Sequence, residues 1–167
     1  MKTIVVSVLL LSAPLASAQQ PTLEDPLLDR LVGRWVLTGT ITGRQTTHDV
    51  DAEWVLNHQF VRVHEISRDK AGNSSSPEYE AIVLIGWDAK RSDYVVYWTD
   101  VFGGGFSLTG RAPRAPSQLP FVFTGPDGRF FTTFAYDAKA DTWAWAMDNE
   151  QNGKKREFAR LSLSRVR

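Results

Sequence analysis

From residue 34 to residue 164 the chain is written in short runs of Val, Ile, Thr, Phe, Tyr and Trp, separated by Gly, Pro, Asn and Asp. β-Branched and aromatic residues suit a pleated, half-buried surface and the separators suit turns, so this stretch is restricted to an antiparallel all-β domain. Strands are predicted near 34–42, 46–56, 59–67, 79–87, 93–101, 105–111, 119–124, 129–136, 142–148 and 156–164. Ten strands with mostly short connections predict an up-and-down meander closed into a barrel, which leaves no sheet edge exposed. Ahead of them, Pro26-Leu27-Leu28-Asp29-Arg30-Leu31-Val32 spaces its apolar residues at helical intervals and stops at Gly33, predicting a short N-terminal helix.

The connections carry recognisable turn chemistry. Asp69-Lys70-Ala71-Gly72-Asn73-Ser74 reads as a polar loop, residues 87–92 and 136–141 as two near copies of one hairpin loop built on Asp-Ala-Lys, and Pro126-Asp127-Gly128 as a tight turn. Residues 111–120 contain Pro113, Pro116 and Pro120, and proline lacks the ladder donor, so this segment is expected to be a loop at one barrel end. Phe102-Gly103-Gly104-Gly105-Phe106 reads as a glycine turn. It does not read as a phosphate cradle, because no lysine or serine follows at Walker spacing and no helix follows to offer its N-terminus.

The hairpin around Asn57-His58 has a register that can be worked out. If these two residues form the turn, Leu56 faces Gln59, Trp54 faces Val61, Ala52 faces Val63 and Val50 faces Glu65 on one side. On the other side Val55 faces Phe60, Glu53 faces Arg62 and Asp51 faces His64. One side is apolar and the other pairs opposite charges, which supports the assumed register. His58 and His64 then stand about 20 Å apart along an extended strand at ~3.3 Å per residue, too far to share a metal ion. His64 and Glu65, as neighbours, point to opposite faces. The charged face has two readings: a solvated outer wall with weak surface pairs, or the lining of a barrel interior that grips a ligand.

Other residues add walls and exclude chemistries. Tyr97 and Trp98 lie in a strand that is apolar on both sides, and Trp143, Trp145 and Met147 share a face, as do Phe130, Thr132, Phe134 and Tyr136. Such stripes suit a barrel core or an apolar pocket with a few polar groups. No nucleophile-elbow or zinc-protease motif is present, and the absence of cysteine removes thiolate chemistry, disulfides and cysteine metal sites. No catalytic residue, metal site or cofactor is expected from these patterns.

The first residues run from Lys2 through the apolar segment Ile4 to Leu11 and end at Ala16-Ser17-Ala18. A basic start, a core too short to span a bilayer and an Ala-x-Ala end predict a signal peptide over 1–18, cleaved near Ala18. A linker over 19–25 and a single domain over 26–167 follow, with export to the periplasm or medium and no integral membrane segment in the mature chain. The whole chain of 167 residues has 19 basic and 19 acidic side chains, and loss of the leader would remove only the charge of Lys2. That balance gives nucleic acid no electrostatic purchase.

Gly33-Arg34-Trp35 at the head of the first strand, followed by Gly39, resembles the Gly-x-Trp opening of the calycin barrels: lipocalins, fatty-acid-binding proteins and the nitrobindin-like group. Leu31-Val32-Gly33-Arg34-Trp35, Glu53-Trp54-Val55-Leu56, Phe60, Gly86-Trp87-Asp88 and Tyr97-Trp98 are together similar to a secreted bacterial lipocalin-like family of unknown function. The resemblance implies a calycin barrel in which Arg160 or Arg165 packs over Trp35. The family hairpin usually carries small, glycine-like residues where Asn57-His58 stand here, which implies a turn there with His58 as a turn residue. Nitrobindin-like members bind haem through a histidine late in the chain, and this sequence has none after His64.

These readings combine into an exported all-β, calycin/lipocalin-like barrel that binds a small hydrophobic or amphipathic ligand without catalysis. Glu53, Arg62 and His64 are the expected polar contacts and Tyr97 and Trp98 the expected walls. The alternatives are an envelope interaction module whose barrel is filled by its own aromatics, and an enzyme using the Glu53/Arg62/His64 face as acid and base.

Overall fold

The computed structural model describes residues 21–73, 75–105, 108–126 and 128–166, so the expected leader lies outside the described residues. One helix, α1 (Pro26–Leu31), precedes ten strands: β1 (Gly33–Ile41), β2 (Arg44–Val55), β3 (Phe60–Ser67), β4 (Glu80–Asp88), β5 (Asp93–Asp100), β6 (Leu108–Pro113), β7 (Gln118–Gly125), β8 (Gly128–Asp137), β9 (Thr142–Gln151) and β10 (Lys154–Arg165). Each strand pairs antiparallel with its sequence neighbours and β1 pairs with β10, closing an up-and-down barrel. This is the ten-strand all-β architecture expected from the sequence, and it is consistent with a calycin-like fold. Among the described residues no helix is long and apolar enough to cross a membrane.

Alternation along an antiparallel meander sends successive connections to opposite ends of the barrel, and α1 closes one of them. Leu27, Leu28 and Leu31 are buried under the barrel floor. Asp25 caps the helix by accepting from the backbone N–H of Leu27 (3.0 Å) and Leu28 (3.1 Å), satisfying donors that a helix start leaves open. At the other helix end, the Trp35 indole donates to Leu31 O at 2.8 Å, and Arg165 donates to Val32 O at 3.0 Å and Arg30 O at 3.1 Å. The Arg165 guanidinium lies 4.0 Å from the Trp35 ring centroid. Of the two arginines that the resemblance offered, Arg165 packs over Trp35, while Arg160 bonds to Asp148 at 2.7 Å. A Cβ at Gly33 would collide with the Arg165 guanidinium, which is why glycine opens this strand.

The β2–β3 register is the one that the charge pattern implied, from Val50↔Glu65 to Val55↔Phe60. The turn is longer than the expected two residues. Leu56, Asn57 and His58 all take left-handed φ, at 51°, 55° and 61°, and Gln59 N–H bonds back to Val55 O at 3.2 Å. The segment expected as a linker is tied to this turn: Leu23 N–H donates to His58 O at 3.1 Å and Gln59 Nε2 to Pro21 O at 2.8 Å.

The proline-rich segment is less of a loop than expected, because β6 runs on through Ala112 and Pro113 and β7 starts at Gln118 and takes in Pro120. The barrel accommodates these prolines by shortening the β6–β7 ladder to Gly110↔Phe123 and Arg111↔Val122, which leaves Pro113 and Pro120 outside that pairing.

The barrel interior is packed with aromatic rings. Phe134 stacks on Trp145 at 4.4 Å, Trp98 lies 5.7 Å from Trp145, and Phe123 meets Phe130 edge-on at 6.3 Å. Gly110 makes room for this cluster, since a Cβ there would meet the Phe123 ring at 2.8 Å.

Candidate functional site

Glu53, Arg62 and His64 stand on the outside of the wall, opposite the face that carries the buried Val61, Val63 and Glu65. The interior-lining reading of this charged face is therefore corrected. The β2–β3 register sends Val50, Ala52, Val61 and Val63 inward, and alternation sends the charges to water. Arg62 reaches Glu53 at 2.7 Å and Asp51 at 3.9 Å. His64 bonds to Glu80 of β4 at 2.6 Å and not to the expected Asp51. Tyr97 is 44% exposed on the outer surface beside Phe60. Trp98, its neighbour in β5, points into the core cluster, so the two expected wall residues occupy opposite sides of the barrel wall.

The polar groups inside the barrel are different ones. His48 of β2 and Glu65 of β3 are each 2% exposed. They share the inward face with Val50 and Val63, one step toward the barrel end opposite α1. His48 Nδ1 bonds to Glu65 Oε1, and His48 Nε2 lies 2.6 Å from Thr46 Oγ1. Among the described residues, Glu65 Oε2 is buried and has no hydrogen-bond partner. A buried unpaired oxygen costs about 1–3 kcal/mol, so its presence calls for an explanation.

Aromatic residues surround this pair. The Tyr79 ring lies 5.9 Å from His48 and 6.1 Å from Phe102, and the Trp98 indole donates to Tyr79 OH at 3.2 Å. Tyr79 is positioned by Ser67, whose Oγ accepts from Tyr79 N–H at 2.9 Å while Ser67 N–H donates to Tyr79 O at 2.9 Å. Burial, and after it the neighbouring Glu65, push the Tyr79 phenol well above its ordinary pKa. Trp98, Phe130, Phe158 and Ile41 pack against the core yet stay partly exposed, which makes this end the mouth of the barrel.

The chain of Thr46 hydroxyl, His48 imidazole and Glu65 carboxylate has the connectivity of a nucleophile relay. What sets it apart is the second carboxylate oxygen, buried without a hydrogen-bond partner among the described residues. Among the described residues no group of three or more His, Cys, Asp or Glu side chains could hold a metal ion.

At the helix end, a surface cleft of about 420 Å³ is lined by Asp25, Pro26, Leu27, Tyr94 and Arg114 among others. Its acidic group is already engaged, because Asp25 Oδ2 accepts from Tyr94 OH at 2.6 Å and Arg114 Nη2 at 3.2 Å in addition to the two helix N–H groups on Oδ1. That cleft is built to hold α1 down.

Comparison with known protein families gives no match, and comparison with curated proteins gives none either. The chemistry of the site is therefore carried by its geometry alone. The sequence contained a signal for it that the turn histidine His58 and outward His64 drew attention away from. Extending the β2–β3 register by two pairs sets His48 opposite Ser67, diagonal to a glutamate on an otherwise apolar stripe.

Proposed function

We propose that this protein is an exported, non-catalytic barrel of the lipocalin-like kind that binds a small amphipathic ligand at the mouth opposite α1. The single observation that carries the reading is the buried Glu65 Oε2 without a partner, held by His48 among the rings of Tyr79 and Trp98. A mostly apolar site with a few fixed polar groups is the usual composition of a small-molecule pocket. Glu65 supplies the polar contact and the partly exposed aromatics supply the apolar surface. Export rests on the leader-like first eighteen residues.

A second reading, a barrel filled by its own side chains and used for surface interactions, draws on the stacked Phe134–Trp145 pair deeper in the core. Native mass spectrometry of protein purified from its own cells separates the two. A retained small mass on the wild type that is absent from a His48→Leu/Glu65→Leu variant supports the binder, and equal masses at the sequence value in both support the filled barrel.

A further inference from the structure

We infer that the ligand is an organic cation, an amine or related N–H-bearing group on an apolar or aromatic body, whose charged head bonds to Glu65 Oε2. The inference rests on the ligand-binding reading of the mouth and specifies its chemistry.

Three features converge on a positive head group. The first is the free acceptor. His48 meets Glu65 Oε1 through Nδ1 and Thr46 Oγ1 through Nε2, so one carboxylate oxygen is fixed, while the other, Oε2, is buried with no hydrogen-bond partner among the described residues. A charge-assisted bond to an ammonium is about twice as strong as a neutral one, which makes a cation the best occupant of that position.

The second feature is the absence of a buried lysine or arginine among the described residues. The buried polar and charged residues of that set are Asp25, His48, Glu65, Ser67 and Thr132. Two arginines at this end are engaged on the outside, Arg44 with Glu78 at 2.5 Å and Arg68 with Asp49 at 2.7 Å. An anionic ligand beside Glu65 Oε2 would face a carboxylate with no buried lysine or arginine among the described residues to offset it, so the site discriminates by repulsion as well as attraction.

The third feature is the aromatic surround. Ring faces carry negative potential and attract cations within about 6 Å of their centroids. The Tyr79 ring lies against His48, and Phe102 and the Trp98 indole contact Tyr79 in turn. Burial first, and after it Glu65, suppresses ionisation of the Tyr79 phenol. Tyr79 is partly exposed and Phe102 is exposed at this end of the barrel.

Isothermal titration calorimetry with three probes that share one body tests this: 2-phenylethylamine, 2-phenylethanol and 3-phenylpropionate. The amine is expected to bind at least tenfold more tightly than the alcohol, and the carboxylate more weakly still. Glu65→Gln is expected to weaken the amine at least tenfold and leave the alcohol unchanged, whereas Glu53→Gln on the outer wall leaves all three unchanged. Alcohol or carboxylate binding as tightly as the amine overturns the inference while the mouth remains a binding site. Equal loss of amine affinity in E65Q and E53Q also overturns it, because general surface charge then explains the preference. Binding of none of the three probes overturns the binding reading together with the inference. The wild-type comparison stands without any variant, so poor folding of E65Q does not remove the test.

Discussion

Replacing His48 by Leu removes the one partner of a carboxylate that is 2% exposed, leaving both Glu65 oxygens without a bond among the described residues. Breaking a buried pair from one side costs about 3–5 kcal/mol, because the remaining charged group stays desolvated. Against a total stability of about 5–15 kcal/mol for a domain, that is a large fraction. Replacing both residues gives the opposite result. Apolar substitution of a whole buried pair is neutral or stabilising by about 1–4 kcal/mol, so His48→Leu/Glu65→Leu is expected to be at least as stable as the wild type. Glu65→Leu alone leaves Nδ1 unpaired and costs about 1–3 kcal/mol. Urea unfolding followed by tryptophan fluorescence measures all four proteins, with equal slopes confirming that the same surface is exposed in each. The reasoning is refuted if His48→Leu lies within about 1 kcal/mol of the wild type, or if the double variant loses the sum of the two single losses.

Leu56→Gly is expected to raise stability by about 0.5–1 kcal/mol, since a left-handed L-residue costs about 1–2 kcal/mol, partly offset by the freedom of glycine in the unfolded chain. Leu56 is 65% exposed and forfeits little burial; a fall in the thermal midpoint would contradict this. Arg165→Ala removes two carbonyl bonds at the end of α1 and the contact with Trp35, and a loss of about 2–3 kcal/mol is expected in urea unfolding. The Arg165 bond to Asp141 holds that carboxyl below its usual range. Its stabilising effect is therefore complete above the ordinary carboxylate pKa and is lost as pH falls through the lowered value. Thermal midpoints measured from neutral to acidic pH should decline less steeply in Asp141→Asn than in the wild type, and an equal slope would count against the pair.

Most strands were legible because they carry a period-two pattern between turn residues, although β5 is apolar on both sides. Proline density misled at residues 111–120, where a shortened ladder let Pro113 and Pro120 stay within strands. The hairpin register was legible because its two faces differ in polarity. Which face looked inward was not decided by the charges alone, although Val61 and Val63 are the residues that burial favours. The His48–Glu65 site escaped because a single glutamate on an apolar stripe resembles noise until its diagonal neighbour is also polar. Tyr79 joins it from just before β4, where no periodicity announces which ring will fold over the mouth.

The most direct test of the central claim is an NMR titration of the six tryptophan indole N–H groups with 2-phenylethylamine. Trp98 and Trp145 sit in the aromatic cluster beneath the mouth, while Trp35 and Trp143 donate to α1 carbonyls, Trp54 bonds to Asp29 and Trp87 packs on Tyr94 at the opposite end. Saturable shifts largest at Trp98, with Trp145 following and the other four still, are predicted. Shifts confined to Trp35, Trp54, Trp87 or Trp143, or no saturable shift at all, would contradict the account.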